Sequence, residues 1–280
     1  MQYNKLKENL SKYVGFVKSF KKPDLGDNLL IISEHKSRPA ARILHMSFLS
    51  AGKTSYLYTP TESSFYFLPY NENVGNVIIF SSKKDPKAIH AAEVARLMNR
   101  KIIFVSPEMD KNIEERLEYI NALRIKIGTE APIITMSLLS LFWSSEQSGL
   151  RAERMKREIE KIDTSLEWLE EKYGDSIQRV RLIESDAIFA YTPSTEAGGI
   201  YAYYTIPNCL FSLPFELAIE NRLRLPIVLL TSTTDIEDYK SMVIALKSNR
   251  KNEVIEFNTD PITAGIYSML FASMVSGNFI

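Results

Sequence analysis

Short apolar runs alternate with segments of helical periodicity along most of the chain, and residues 74–107 show this pattern most clearly. Residues 77–80 form a continuous run of β-branched and aromatic side chains, and a second buried strand is expected at 101–105, where four apolar residues follow Lys101. Between them, behind Pro86, small residues recur at helical spacing: Ala88, Ala91, Ala92 and Ala95. The pattern predicts a β-α-β crossover, in which two parallel strands buried on both faces are joined by a helix that lies close to their sheet.

The same alternation extends over the rest of the chain. Further strands are expected at 29–32, 56–58, 123–127, 187–191, 226–230 and 253–257. Further helices are expected at 3–20, 37–52, 114–122, 133–143, 196–204, 214–221, 236–248 and 261–275. Short buried strands that alternate with helices predict parallel sheets covered on both faces. The chain is therefore predicted to contain two α/β halves.

A strongly charged stretch separates these halves. Residues 150–173 carry many acid–base pairs at i,i+4 spacing, which is typical of a largely solvated helix. Asp163, Thr164 and Ser165 are expected to interrupt this helix with a new cap. We accordingly divide the chain into a first subdomain at 1–149, a connecting charged helix at 150–174, and a second subdomain at 175–280.

Composition narrows the function classes. The 280 residues include 34 basic and 34 acidic side chains, so no net positive charge indicates nucleic acid as a partner. A single cysteine, Cys209, leaves no partner for an intramolecular disulfide and excludes a cysteine-rich metal cluster. The first residues lack the pattern of a signal peptide, and no apolar run approaches the roughly 20 residues of a membrane helix. We expect a soluble cytoplasmic protein with no cofactor, no metal and no membrane partner.

Four stretches, at residues 33–41, 74–107, 127–135 and 263–277, resemble the double sugar isomerase (SIS) family, as in the isomerase half of glucosamine–fructose-6-phosphate aminotransferase. Residues 33–41, SEHKSRPAA, are similar to the loop GxGTSxxAA after the family's first strand, with Ser37 and two alanines matching. The central crossover resembles the unit SxSGxTxxxxxAxxxAxxxG, and here Ser82 and Ala95 match. At the other positions of this unit Phe80, Lys83 and Asp85 replace Ser, Gly and Thr.

The remaining two stretches extend the resemblance over nearly the whole chain. Residues 127–135 are similar to the turn and helix AGxExxVAST, with Gly128, Glu130 and Thr135 matching. Residues 263–277 are similar to the closing helix of the second SIS half. The resemblance implies two flavodoxin-like, three-layer αβα subdomains with parallel sheets, a sugar phosphate as ligand, and pairing into a homodimer. The apolar side chains of the last helix, including Phe271, Met274 and Phe279, suggest where such a dimer would pair.

The turns of the first half are the predicted phosphate site. In the family these turns hold a sugar phosphate with hydroxyls and backbone N–H groups, and helix N-termini add a favourable dipole. By position, the hydroxyl candidates are Ser37, Ser81, Ser82 and Thr135, and Lys36 and Lys83 would add positive charge. The alternative is that these serines are ordinary helix caps and that the lysines are simply solvated.

The family's catalytic groups are replaced in this sequence. Aldose–ketose isomerisation needs a base that moves a proton between C1 and C2 and a group that opens the sugar ring. Tyr203 stands at the position of the family's base, no histidine follows His90, and the chain ends at Ile280, before the family's C-terminal lysine. The substitute acids would be Glu196, Glu216 and Glu220, which could equally be a helix-capping residue and two exposed side chains.

Three functions therefore follow from the sequence. The first is an SIS-type phosphosugar-binding protein that lacks the family's usual catalytic set. The second is an active sugar-phosphate isomerase, or an amino-sugar-phosphate enzyme similar to glucosamine-6-phosphate synthase or deaminase, that uses the substitute glutamates. The third is a fold retained without any sugar ligand.

Overall fold

The computed structural model describes residues 2–147, 150–183, 185–220, 225–249 and 251–280. Contacts divide the chain into two compact units. The N-terminal unit comprises residues 16–153, and the C-terminal unit comprises residues 1–15 together with 154–280. Residues 149 and 221, at the ends of a predicted subdomain and of a predicted helix, lie outside the described residues. The separate connecting element proposed at 150–174 stays a prediction.

The N-terminal unit is built on a five-stranded sheet in the order β2-β1-β3-β4-β5, in which every neighbouring pair is parallel. Its strands are β1 (Asn28–Ser33), β2 (Thr54–Tyr58), β3 (Asn76–Phe80), β4 (Lys101–Pro107) and β5 (Leu123–Ile127). This is the flavodoxin-like order, with its topological switch point between β1 and β3. The structure thus confirms the predicted parallel sheet and central crossover.

Helices cover both faces of this sheet because its central strands are apolar on both sides. The helices are α2 (Arg38–Ser50), α3 (Pro60–Glu62), α4 (Pro86–Leu97), α5 (Lys111–Tyr119) and α6 (Pro132–Ser145), with a π-helical turn at Ser63–Phe67. One face packs Leu30, Val77 and Phe104 against α4 and α5. Helices α2 and α6 pack against each other, and both also contact strands of the sheet.

The C-terminal unit repeats this plan with a four-stranded parallel sheet in the order β7-β6-β8-β9. Its strands are β6 (Ala187–Tyr191), β7 (Cys209–Pro214), β8 (Ile227–Ser232) and β9 (Glu253–Phe257). The sequence pattern left 208–213 without an assigned element, since exposed Leu210 and Phe211 break the alternation expected of a covered strand. In the structure this segment is the edge strand β7.

Helices again form the outer layers. They are α1 (Gln2–Lys18), α7 (Leu150–Glu160), α8 (Ser165–Arg181), α9 (Glu196–Thr205), α10 (Phe215–Glu220), α11 (Lys240–Lys247) and α12 (Pro261–Ser276). Short 3₁₀ turns lie at Ile162–Thr164, where the charged helix breaks as predicted, and at Pro193–Thr195. Helix α12 packs against α8 and α9, whereas α10 and α11 supply Phe215 and Val243 to the core on the other face.

The prediction that apolar side chains of the last helix form a dimer surface is wrong. Phe271 and Met274 are 0% and 2% exposed, and Phe279 packs edge to face on Tyr13, with ring centroids 5.9 Å apart. The reason is that α12 is apolar on all sides, and a helix of this kind belongs in a core rather than on a surface. The apolar residues of α12 that were predicted to form an interface therefore belong to the core of the C-terminal unit.

The approach of α9 to α12 depends on Gly198. A Cβ atom at this position would lie 2.1 Å from Ser268 Oγ and 2.8 Å from the Ser268 carbonyl carbon. Since the Ser268 carbonyl carbon belongs to the backbone, a change of side-chain rotamer cannot relieve this contact. By contrast, a Cβ at Gly174 on α8 would meet only Glu170 Oε1, at 3.8 Å.

We predict that Gly198→Ala lowers the free energy of unfolding by about 1–3 kcal/mol, the usual cost of overpacking. The matched control is Gly174→Ala, which should raise the free energy of unfolding by up to about 1 kcal/mol because alanine is the better helix former. Urea denaturation followed by circular dichroism measures both values. Equal effects in the two variants would contradict the described packing of α9 on α12.

Candidate functional site

The site lies at the switch point of the N-terminal sheet, where the loops after β1 and β3 meet. In open parallel sheets, ligands bind outside the carboxyl ends of the strands at this point. The loop after β1 carries Glu34, Lys36 and Ser37, and the loop after β3 carries Ser81, Ser82 and Lys83. Because β1 and β3 are paired in register as far as Ser33 and Phe80, these two loops leave the sheet at the same level.

Ser37 fastens the two loops together. Its hydroxyl donates to the carbonyl oxygen of Phe80 at 2.7 Å and lies 3.3 Å from the carbonyl oxygen of Glu34. The side chain is completely buried. Ser37 is also the residue before α2, but its side chain makes no capping hydrogen bond there. Its hydroxyl therefore fixes the shape of the corner and is not an ordinary helix cap.

Glu34 occupies the centre of the corner. Its Oε1 atom accepts a hydrogen bond of 2.7 Å from the backbone N–H of Ser82 and a second, short one from the Ser82 hydroxyl. We call this arrangement the Glu34–Ser82 clasp. A backbone N–H and a hydroxyl that converge on one carboxylate oxygen form an anion site, and hydrogen bonds to an ionised acceptor are stronger than those between neutral groups.

The neighbouring residues of the second loop have separate roles. The Ser81 hydroxyl donates to the carbonyl oxygen of Lys83 at 2.6 Å and is buried. Lys83 is exposed, and its ammonium has no ion-pair partner among the described residues, whereas Lys84 pairs with Asp110 at 2.8 Å. The Asp85 carboxylate accepts from the Lys87 N–H at 3.0 Å and so caps α4. The N-terminus of α4 thus already holds an anionic group from its own chain.

Thr135 lies apart from this hydrogen-bond network. It is on the first turn of α6 and is 1% exposed. Its hydroxyl donates to the carbonyl oxygen of Ala131 at 2.8 Å, the usual back-bond of a threonine inside a helix. Of the predicted phosphate ligands, the structure therefore brings Lys36, Ser37, Ser81, Ser82 and Lys83 together on two adjoining loops.

A second clasp lies at the corresponding corner of the C-terminal sheet, between the loops after β6 and β8. Asp235 Oδ2 accepts from the backbone N–H of Ser194 at 2.9 Å and from its hydroxyl at 2.7 Å. Behind it, the buried Thr195 hydroxyl donates to the carbonyl oxygen of Leu230 at 2.6 Å. We call this the Asp235–Ser194 clasp. In this clasp the acid follows its serine in the chain, because Asp235 lies after β8 and Ser194 after β6. In the N-terminal unit the acid precedes its serine, because Glu34 lies after β1 and Ser82 after β3.

The three predicted catalytic glutamates all lie in the C-terminal unit. Glu196 is the first residue of α9 and is half-buried. Glu216 and Glu220 are exposed on the short helix α10. The carboxylate of Glu216 accepts a short hydrogen bond from the hydroxyl of Tyr239. That hydrogen bond, together with the negative charge of Glu216, raises the pKa of Tyr239 to about 12.

Sequence reasoning missed the two acids of the clasps and Tyr239. Glu34 was visible as an acidic residue next to the carboxyl end of a buried strand, and Asp235 stands three residues after β8. That placement is the signal that could have identified them. Their serine partners lie 48 and 41 positions away in the chain, so the pairing becomes evident only once the strand order is known.

The structure adds two general observations on the described residues. No group of three or more His, Cys, Asp or Glu side chains there is arranged to hold a metal ion. Every helix in these ranges is too short or too polar to span a bilayer.

Comparison with known proteins identifies solved structures that share the fold of this chain. No family model and no curated protein matches the chain. Several solved structures do match, and those named here each cover 98% of the chain. They include glucosamine-6-phosphate deaminase from Thermotoga maritima (TM-score 0.66, 13% identity, 91% of that chain covered) and the C-terminal domain of glucosamine–fructose-6-phosphate aminotransferase from Francisella tularensis (0.62, 12%, 94%). Tagatose-6-phosphate ketose/aldose isomerase from Escherichia coli also matches (0.62, 12%, 86%). At this identity the likeness shows the fold, and it confirms the resemblance to double SIS proteins at that level.

We predict that Glu216→Gln lowers the pKa of Tyr239 from about 12 towards its ordinary value of 10.0, because the variant removes the negative charge beside the phenol. The pKa can be read from the ring ¹³C shifts of labelled tyrosine, with Tyr239→Phe providing the assignment. Tyr173, whose pKa is raised to about 12 chiefly by burial, is the internal control and should not change.

The raised pKa of Tyr239 also makes the free energy of unfolding depend on pH in the alkaline range. Since the folded state holds this proton more tightly than the unfolded chain, the stabilisation is complete below pH 10.0 and is lost as the pH rises through about 12. Glu216→Gln should weaken this alkaline loss. A pKa of Tyr239 that stays near 12 in the variant would show that Glu216 does not contact the phenol.

Proposed function

We propose that this chain is an SIS-type phosphosugar-binding protein and that the N-terminal corner is its phosphate site. The observation that carries the proposal is the Glu34–Ser82 clasp. Ser82 directs two donors, its N–H and its hydroxyl, at a single anionic oxygen. A phosphate oxygen is also an anionic acceptor, and it can use the same two donors.

In this proposal the ligand competes with Glu34. The phosphate group replaces the Glu34 carboxylate on Ser82, while Lys36 and Lys83 at the rim supply positive charge. Ser37 and Ser81 keep the two loops in the shape that the phosphate requires, through their bonds to the carbonyl oxygens of Phe80 and Lys83. Asp85 remains on the N-terminus of α4, so the dipole of that helix contributes less to the site than a free helix terminus would.

Competition with an internal carboxylate makes the binding conditional. A sugar phosphate must provide more favourable contacts than Glu34 does, and it also supplies what the Glu34 carboxylate lacks, namely a third anionic oxygen and a second negative charge. This arrangement favours dianionic phosphate esters over monocarboxylates of similar size. Glu34 thereby acts as a filter on ligand charge.

We further propose that the protein binds sugar phosphate without isomerising it. Glu216 is engaged with the Tyr239 hydroxyl, and a phenol whose pKa is about 12 is a poor proton donor near pH 7. Glu220 lies exposed to solvent at the end of the short helix α10, whereas catalytic sites exclude water from the reacting groups. We also expect a cytoplasmic homodimer, which light scattering coupled to size exclusion would test.

We predict that Glu34→Ala tightens the binding of glucosamine 6-phosphate and fructose 6-phosphate by about tenfold, because the donors of Ser82 become free and a repelling charge is removed. Ser82→Ala, which loses the hydroxyl, should weaken binding by about tenfold. Isothermal titration calorimetry gives both constants, with inorganic phosphate as a second ligand.

The Asp235–Ser194 clasp offers a matched control. Asp235→Ala and Ser194→Ala make the same chemical changes in the other unit and should leave the affinities unchanged. If Glu34→Ala and Asp235→Ala behave alike, or if no variant binds either phosphosugar, the N-terminal corner is not the phosphate site.

A coupled assay with the same two phosphosugars tests the absence of catalysis, and we expect no turnover above the rate without protein. Turnover that disappears in Glu216→Gln and persists in the control Glu171→Gln would instead establish the alternative function, an active sugar-phosphate isomerase or amino-sugar-phosphate enzyme.

A further inference from the structure

The C-terminal unit contains a cavity that has no part in the proposed phosphate site. Its volume is about 310 Å³, near the lower end for small-molecule sites, so it suits a single ring. Its walls come from the end of α7, the first turn of α8, the loop after β9 and the middle of α12. We call it the Trp168 cavity.

An aromatic surface forms one side of this cavity. Trp168 and Tyr267 both line it, with ring centroids 5.1 Å apart and planes inclined at 58°. Trp168 is only partly buried, and its indole N–H has no hydrogen-bond partner among the described residues. By contrast, the other tryptophan, Trp143, is fully buried in the N-terminal unit. A partly open indole beside polar groups provides an apolar face together with an available donor.

A carboxylate lies next to this aromatic surface. Glu158 Oε2 accepts a hydrogen bond of 2.6 Å from the Tyr267 hydroxyl. Burial and the Glu158 charge both raise the pKa of Tyr267, so its phenol remains a donor at every ordinary pH. The other carboxylate oxygen, Oε1, has no hydrogen-bond partner in the described part of the chain. One oxygen is thus fixed in orientation while the other can accept from a ligand.

The charges around the cavity favour a neutral ligand. Glu158 would repel a phosphate or a carboxylate, and Lys161, which is exposed and also lines the cavity, would repel an ammonium group. The ammonium of Lys172 adds positive charge nearby, since it lies 5.2 Å from the centroid of the Trp168 ring. A ligand that carries hydroxyls can donate to Glu158 and accept from Lys161 without bringing a charge of its own.

We propose that the Trp168 cavity binds one uncharged monosaccharide ring. The C–H face of a pyranose would lie on the indole, one hydroxyl would donate to Glu158 Oε1, and another would accept from Lys161. The hydroxyl of Thr259 and the amide of Asn258 complete the polar lining. The proposal is independent of the phosphate site and adds a second, unphosphorylated sugar to the ligands of the protein.

Tryptophan fluorescence and saturation-transfer NMR on the full chain test this proposal. The probes are glucose, galactose and N-acetylglucosamine, with glucose 6-phosphate as the charged comparison. We expect a saturable change in fluorescence with a dissociation constant on the order of 1 mM, which is usual for a ligand of this size. Trp168→Ala should abolish the binding of the neutral sugars, while Trp143 supplies a constant background.

Two further variants identify the polar contact. Glu158→Gln keeps an acceptor for Tyr267 but removes the charge, and it should weaken neutral-sugar binding about tenfold. Glu171→Gln, an exposed change on α8 outside the cavity, and Ser82→Ala, at the phosphate corner, should each leave the constant unchanged.

The proposal is overturned by any of three results. The first is no saturable signal from the folded protein at neutral-sugar concentrations on the order of 10 mM. The second is binding that survives Trp168→Ala. The third is a preference for glucose 6-phosphate that Ser82→Ala leaves intact, since that would place an anion in the cavity.

Discussion

The loops at the switch point of each sheet depend on one interaction, a carboxylate that is held by the N–H and the hydroxyl of a single serine. At each switch point two loops leave a parallel sheet side by side, and their polar backbone groups need partners once the strands below are buried. The chain supplies those partners itself, through Glu34 on Ser82 and Asp235 on Ser194. The same bonds join the two loops at the corner of each sheet and direct two donors at one anionic oxygen.

The clasps also separate this chain from proteins whose phosphate loops are rich in glycine. Glycine lets a backbone approach a ligand closely, whereas Lys83 brings a side chain to the glycine position of the central crossover, and Asp85 replaces a threonine there. Asp85 uses its carboxylate to cap α4, and Glu34 uses its carboxylate to hold Ser82. Two internal anions thus occupy donors at this corner, and in the phosphate site that we propose the ligand has to compete with Glu34.

Most of the fold could be predicted from the sequence because buried parallel strands produce an unmistakable pattern. Residues 77–80 and 102–105 are apolar at every position, and the alanines between them predict the crossover helix. Edge strand β7 escaped notice because Leu210 and Phe211 remain exposed. Helix α12 was recognised as a helix but misplaced on a surface, although its apolar residues on every side mark a buried element.

The site was harder to predict than the fold. Ser37 and Ser82 stood out through their positions after strands, but their hydrogen-bond partners depend on which loops the strand order brings together. The Trp168 cavity left no trace in the sequence at all, since its walls come from residues about one hundred positions apart, such as Glu158 and Tyr267, whose bond joins positions separated by 109. The local sequence pattern predicts the helices and strands, whereas a binding site depends on how these elements pack together.

The division of the chain has a consequence for its synthesis. The N-terminal unit is one uninterrupted segment, 16–153, but the C-terminal unit needs residues 1–15 together with 154–280. On a ribosome the middle segment is complete first, and domains generally fold as units when their residues are available. Residues 1–15 are therefore synthesised well before residues 154–280 of the same unit. Leu10 and Val14, which are buried in the folded protein, stay exposed to solvent and to chaperones until those later residues are made.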